Sequence, residues 1–264
     1  VGVTDTERMI TDKSIVILDG AHLSGVTLPA TAVAEKNHKL WFAAVPVDDR
    51  ITERGFKYVF RIAETSGMRA ETQVKFMNDL RKKDPSLKTV AIINENSAYG
   101  SGIAQHWKAA LAKNGYKVVL DESYDASKTQ DFTTIVTKVK QAKPDVLLMA
   151  SYTNDAILLT NTIKQQKVKP KAIIVTSGGY DAPSYLKNVG DAAANFFDVS
   201  AWNVDVNRPG SAALDKKFLK KYHEHLTGET VKEYAGIYTI ANALERAAST
   251  DTQKLRQALL TTNI

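Results

Sequence analysis

The sequence predicts an α/β fold with parallel sheets flanked by helices, and three observations predict it. Short runs of β-branched and other apolar residues alternate with helical-period stretches along nearly all of the 264 residues. The links between them are short, as strand–helix–strand crossovers require. The hydrophobic fraction of 44% supplies a core, and the length allows one large or two small domains.

The chain opens with a short amphipathic helix over Thr4–Thr11, where an α/β domain usually opens with a strand. A strand at Ile15–Leu18 then leads to a helix over Ser24–Asn37, and a strand at Leu40–Ala44 follows. Next come a helix over Met68–Lys83, a strand at Thr89–Asn94, a helix over Ser101–Lys113 and a strand at Lys117–Leu120. Gly115 is the stop signal between the last two. The alternation continues with a helix at Phe132–Gln141, a strand at Asp145–Ala150, a helix at Asp155–Gln165, a strand at Ala172–Thr176, a short helix at Pro183–Lys187 and a strand at Phe196–Ser200. Three helices close the chain, over Ala212–His225, Glu233–Ala248 and Thr252–Leu260. Pro85 and Pro170 fall in loops, where proline belongs.

Composition narrows the function. With no cysteine there is no disulfide framework, thiolate metal site or cysteine nucleophile. The net charge of +6 comes from lysine and arginine interleaved with acids. The densest run, Lys216 to Lys221, reads as a solvated helix face with Phe218 and Leu219 turned inward, so no nucleic-acid partner is expected. No apolar run has the roughly 18 residues of a membrane span, and Val1 opens directly into what reads as mature domain. Catalytic signatures are missing: no G-x-S-x-G elbow, no H-E-x-x-H and no Walker A loop. His223 and His225 stand two apart and face different ways on a helix, so no metal site is expected. Asp48-Asp49 and Asp121-Glu122 read as solvated or structural pairs. We expect no cofactor and no enzymatic activity.

Ligands of open α/β sheets bind beyond the carboxyl ends of the strands, and four such ends carry informative residues. The first, Leu18 to Gly25, passes through Leu23 to Ser24, which reads as a helix N-cap. The unpaired N–H groups after it, and the helix dipole, suit a carboxylate without help from lysine or arginine. The second, Asn94 to Gly102, mimics a dinucleotide fingerprint, with Gly100, Gly102 and a later Asp121. Six residues separate Asn94 from Gly100, however, and Gln105 occupies the third glycine position, so the cofactor reading fails. The third is Ala150 to Asp155 and the fourth Thr176 to Asp181. Tyr99, Tyr152 and Tyr180 therefore stand beyond three strands, as the lining of an aromatic cleft would.

The ordered set of these segments resembles the type I periplasmic solute-binding proteins of the branched-chain amino acid ABC transporter family. Gly20–Lys36 resembles their first ligand loop and helix, and Arg54–Arg61 the approach to their first interdomain crossing. Val90–Gly102 resembles the opening of their second lobe, Lys143-Pro144-Asp145 the lead to the next ligand tyrosine, and Asn188–Ala193 their Gly-Asp-Ala-Ala turn. Tyr234–Leu244 resembles a late helix of the first lobe. The resemblance implies two Rossmann-like lobes joined by a hinge: 1–65 plus 203–264 as an incomplete lobe one, and 66–202 as lobe two. Family members are longer at both ends, so segments of lobe one and a closing hairpin are expected to lie outside this chain.

The resemblance also implies the function: a periplasmic, or exported and membrane-tethered, monomer that captures a small solute in the inter-lobe cleft and presents it to ABC permease subunits. The family's carboxylate-binding serine falls on Ser24, beside Leu23, and its cleft tyrosines on Tyr99 and Tyr152, with Tyr180 added by topology. Its ammonium partners fall on Pro46, Val47 and Gly178. Val47 offers no side-chain acceptor and Gly178 no charge, and burying an ammonium without partners costs several kcal/mol. The expected ligand is therefore an organic or aromatic acid without an α-amino group. The alternatives are a branched-chain or other amino acid, and, in another class, a ligand-sensing receptor domain.

Overall fold

In a computed structural model of the protein, described over residues 1–263, the chain divides into two compact units, Val1–Thr65 with Glu229–Ile264 and Ser66–Gly228. The first break lies after Thr65. The second falls after Gly228 rather than after Trp202. Residues 203–228 stay with the second unit because Asn203, Val206 and Leu226 close over the same pocket as Tyr180 and Tyr185.

The first unit holds a three-stranded parallel sheet in the order β1 (Ile17–Asp19), β2 (Leu40–Ala43), β3 (Val59–Arg61). β2 is central and wholly buried, and its side chains alternate between two cores. Trp41 and Ala43 pack with Leu18, Ala30, Ala34, Ile51 and Val59 beneath α1 (Gly2–Thr11) and α2 (Ser24–Lys36). Leu40 and Phe42 pack on the other side with Ile240, Ala243, Leu255 and Leu259. Those residues come from α9 (Gly228–Ala247) and α10 (Thr252–Leu260), whose N-terminus Asp251 caps by accepting from the N–H groups of Gln253 and Lys254. Burying one such large apolar side chain is worth about 1.5–3 kcal/mol. That double-sided burial explains why β2 reads as an unbroken apolar run.

The second unit holds a five-stranded parallel sheet in the order β5-β4-β6-β7-β8. Its strands are β4 (Thr89–Glu95), β5 (Lys117–Tyr124), β6 (Val146–Ala150), β7 (Ala172–Thr176) and β8 (Phe196–Val199). Interior strands of a parallel sheet are covered on both faces, and β6 and β7 are buried at every position. One face packs Ala91, Ile93, Leu147, Met149, Ile173 and Val175 against α5 (Thr133–Ala142), α6 (Thr153–Gln165) and α7 (Pro183–Val189). α4 (Ala98–Lys113) packs against β4 and β6 and against α3 (Ser66–Lys83). α8 (Ser211–Tyr222) follows β8. The chain moves outward from β4 to β5, then back across β4 to β6. The switch point of the sheet therefore lies between the exits of β4 and β6, where doubly wound sheets take their ligands.

Most elements lie within a few residues of the sequence reading, with two differences that bear on the site. β3, only three residues long, was not foreseen. α4 begins at Ala98, three residues early, because Ser97 caps it by accepting from the Tyr99 N–H. Gly100 and Gly102 thus sit inside a helix and not in a phosphate-binding turn. A side chain at Gly100 would run into the Glu95 carbonyl, which is why glycine stands there. Among the described residues no helix is long and apolar enough to cross a membrane, and no cluster of metal-ligating groups occurs.

Candidate ligand-binding residues in the two units

In the first unit the exits of β1 and β2 meet at Ser24. The sequence made Ser24 the N-cap of α2, but Leu23 holds that position and Ser24 is the first helical residue. Its hydroxyl does different work. Ser24 is only 2% exposed, and its Oγ accepts from the Asp48 N–H at 3.3 Å and so ties the loop after β2 to the start of α2. The N–H groups of Val26 and Thr27 both donate to the Leu23 carbonyl. Among the described residues the N–H groups of Ser24 and Gly25 have no such acceptor, as expected for the first two helical positions. With Oγ filled as an acceptor, the serine proton and these two N–H groups remain to serve an anion at a positive helix end.

The loop that carries Pro46 and Val47 is built rigidly. Both are buried, and both side chains are hydrocarbon. Asp48 is buried beside them and accepts from Arg50 through the backbone N–H, Nε and Nη2 at 2.7–3.0 Å. Arg61 in β3 donates to the Asp48 carbonyl at 2.9 Å. Burial holds the Arg61 guanidinium below its ordinary pKa, with the nearby acids opposing that shift. Asp48 is thus the structural acid that the sequence allowed for.

In the second unit Tyr99 and Tyr152 flank the switch point. Their ring centroids lie 5.1 Å apart at 35°. Tyr99 is buried and Tyr152 half-buried, so Tyr152 presents the outer ring of the pair. The Tyr99 hydroxyl donates inward, 2.5 Å from the Ser177 carbonyl and 3.2 Å from that of Thr176. Burial pushes its pKa far up, so the phenol stays neutral and offers a ring, not a charge. Gly178, at φ +131°, passes beneath it, and a Cβ there would come within 2.8 Å of the hydroxyl. Tyr180 stands differently. Its ring packs edge-on against Tyr185 in the core, and only its hydroxyl reaches the strand exits, at 3.2 Å from Ser151 Oγ.

Two residues that the sequence reading missed hold this end of the sheet. Arg69, in the first turn of α3 and 4% exposed, donates Nη1 to the Ser177 carbonyl at 2.8 Å and to Thr176 Oγ1 at 3.2 Å. One turn on, Gln73 donates to the Val175 carbonyl while its own oxygen accepts from Trp107 Nε1 at 2.7 Å. The readable signal was their spacing, i and i+4, on the same helix face as the apolar Ala70, Val74 and Met77. The Ser177 carbonyl thus accepts from Arg69 and Tyr99 together, which fixes the turn that carries Gly178.

The acids at these strand exits are mostly engaged. Glu95 accepts from the Ser97 N–H, the Ser97 hydroxyl and the Gly100 N–H at 2.5–2.8 Å. Asp155 accepts from the Tyr124 hydroxyl at 3.2 Å, and burial raises its pKa. Asp181 differs, because its buried Oδ2 accepts no hydrogen bond among the described residues. It lines a pocket of about 390 Å³ with Asp198, Tyr185 and Trp202.

Asp198 is reached by solvent through this pocket, yet crowding by protein lifts its pKa to about 7, and the charge of Asp181 adds to that shift while Arg69 opposes it. A carboxyl whose folded pKa lies above its ordinary 3.8 holds its proton better in the folded state. Stability is then present at low pH and falls as pH rises from about 4 through about 7. Asp198→Asn is expected to flatten that fall and to raise the melting temperature at pH 8 above the wild type. Parallel melting curves across this range would rule the account out.

Comparison with known proteins gives a consistent set of likenesses. A family model described as periplasmic binding protein matches residues 1–264. The Leu/Ile/Val-binding protein homolog 7 of Brucella suis is 30% identical over 272 residues, covering 99% of this chain and 68% of that protein. Two solved structures share the fold. One is the branched-chain amino acid transporter substrate binding protein LivJ of Streptococcus pneumoniae in complex with isoleucine, at TM-score 0.85 and 20% identity over 99% of this chain and 72% of that one. The other is a solute binding protein of an ABC transporter from Rhodopseudomonas palustris in complex with 3,4-dihydroxybenzoic acid, at TM-score 0.83 and 17% identity over 97% and 69%.

Proposed function

The chain belongs to the periplasmic binding protein family, and from that premise we propose that it is the solute receptor of an ABC importer whose ligand is a small organic or aromatic acid without an α-amino group. Membership implies an extracytoplasmic location and a binding role. The permease subunits of the importer would take the ligand from it.

The observation that carries the ligand class is the Ser24 turn. Its Oγ is already filled by the Asp48 N–H, so three donors at a helix start are left for a carboxylate. In the second unit the tyrosine pair offers ring faces suited to stacking on a planar acid. An ammonium would find hydrocarbon at Val47 and no side chain at Gly178, while Glu95 is saturated by the start of α4. We place the ligand at Leu23, Ser24, Pro46 and Val47 of the first unit and at Tyr99, Tyr152, Gly178 and Tyr180 of the second.

A second reading, an amino-acid ligand, is favoured by Asp181, whose buried Oδ2 lacks a donor three residues beyond Gly178. The two structural relatives, holding isoleucine and a dihydroxybenzoic acid, represent both chemistries. A thermal-shift screen against benzoate-type acids and against leucine, isoleucine and valine separates the readings. A ligand at a hundred times its Kd stabilises the fold by about 2.7 kcal/mol. A shift with the acids alone supports the first reading. A shift with the amino acids replaces it with the second, in which Asp181 is the partner proposed for the ammonium.

A further inference from the structure

The strand exits of the five-stranded sheet are only one of its two ends. Because β4 to β8 run parallel, the connections leading into the strands gather at the opposite end, roughly 17–23 Å away for strands of five to seven residues. That end is basic. Connections 140–145 and 164–171 carry six exposed lysines, Lys140, Lys143, Lys164, Lys167, Lys169 and Lys171, and one acid, Asp145. The Asp145 carboxylate is turned to internal use and accepts from Lys88 and Thr89.

These connections wall two adjoining concavities of about 480 and 390 Å³ that share Lys167, Lys169 and Lys171. The other acids at hand are Asp84, paired with Lys171 at 2.9 Å, and Asp191 on the rim of the larger concavity. Connections 82–88 and 113–117 at the same end add five lysines, of which Lys82 is paired with Asp79 at 2.7 Å, and the one acid Asp84. Residues 66–228 hold 23 of the 35 Lys and Arg but 16 of the 29 Asp and Glu, so the positive charge of the chain resides in this unit.

Compensation of helix dipoles explains Lys140 and Lys164, which stand in last turns. It does not explain Lys143, Lys167 and Lys169, which lie beyond the helices. Among the described residues none of the exposed large hydrophobics falls in connections 140–145 and 164–171. Protein interfaces rely on buried aromatic and apolar anchors, whereas a lysine array without them suits a plane of anionic headgroups. We propose that this face docks electrostatically on an anionic phospholipid bilayer, with the strand exits of the same unit turned away from the surface. The proposal is independent of the ligand class.

Cosedimentation with vesicles tests it, using phosphatidylcholine with and without phosphatidylglycerol at low and high salt. The protein is expected to bind the mixed vesicles at low salt, to ignore pure phosphatidylcholine and to be released at high salt. The triple variant Lys140→Gln, Lys164→Gln, Lys169→Gln should lose about a hundredfold in partitioning. The triple variant Lys216→Gln, Lys217→Gln, Lys220→Gln removes the same charge from α8. Trp202 ties α8 to the strand-exit end through Ser211 Oγ at 3.4 Å, so this variant should lose less than about threefold. Among the described residues no side chain of these six lysines makes a hydrogen bond or ion pair, so both variants keep the fold. Absence of wild-type binding, or equal loss in the two variants, would overturn the proposal.

Discussion

Gly179→Ala is expected to unfold the second unit at markedly lower urea than the wild type and to weaken ligand binding with it. A Cβ at this position would fall 2.5 Å from the Tyr152 carbonyl carbon, 2.7 Å from the Ser151 oxygen and 2.7 Å from the Thr153 nitrogen. All three are backbone atoms, so no rotamer relieves the contact. The exit of β6 must move away from that of β7. Overpacking of this kind costs about 1–3 kcal/mol, and a clash with backbone on three sides belongs at the upper end. The same movement separates Tyr152 from Tyr99 and opens the tilted ring pair. Gly25→Ala is a control for stability alone, its N–H being part of the proposed anion site: nothing lies within 4 Å of its Cβ and alanine favours a helix by about 1 kcal/mol over glycine. A Gly179→Ala protein with the wild-type urea midpoint and slope would show that the two loops do not approach as described.

The contrast between these two glycines shows what the sequence could reveal. β2, β4, β6 and β7 were readable because strands buried on both faces leave apolar runs that no other element here produces. β3 was not, since Val59–Arg61 is three residues long and owes its place to pairing with β2. Ser24 was found by its position after a strand. Its role was not, because the Asp48 N–H that fills its oxygen comes from 24 residues away. Tyr99, Tyr152 and Tyr180 looked equivalent by topology, yet core packing against Tyr185 sets the third apart. Arg69 was invisible for a related reason. An arginine in an amphipathic helix reads as solvated until the exit of β7, more than a hundred residues on, supplies its acceptors.

Ser24→Ala is expected to weaken binding of a carboxylate ligand by about 10- to 150-fold, the equivalent of one hydrogen bond to a charged group at about 1.5–3 kcal/mol. The substitution removes the serine proton from the anion and leaves the Asp48 N–H without its acceptor, so the loop bearing Pro46 and Val47 also loses its tie to α2. These two consequences separate experimentally. Titration calorimetry with the best acid and with its uncharged carboxamide compares them in wild type and variant. If Ser24 acts on the charge, the loss is large for the acid and small for the amide, because the N–H groups of Ser24 and Gly25 still serve a neutral oxygen. If Ser24 acts only by holding the loop, both ligands lose equally. Binding of the acid within twofold of wild type would remove Ser24 from the site, and with it the main reason for reading the ligand as an anion.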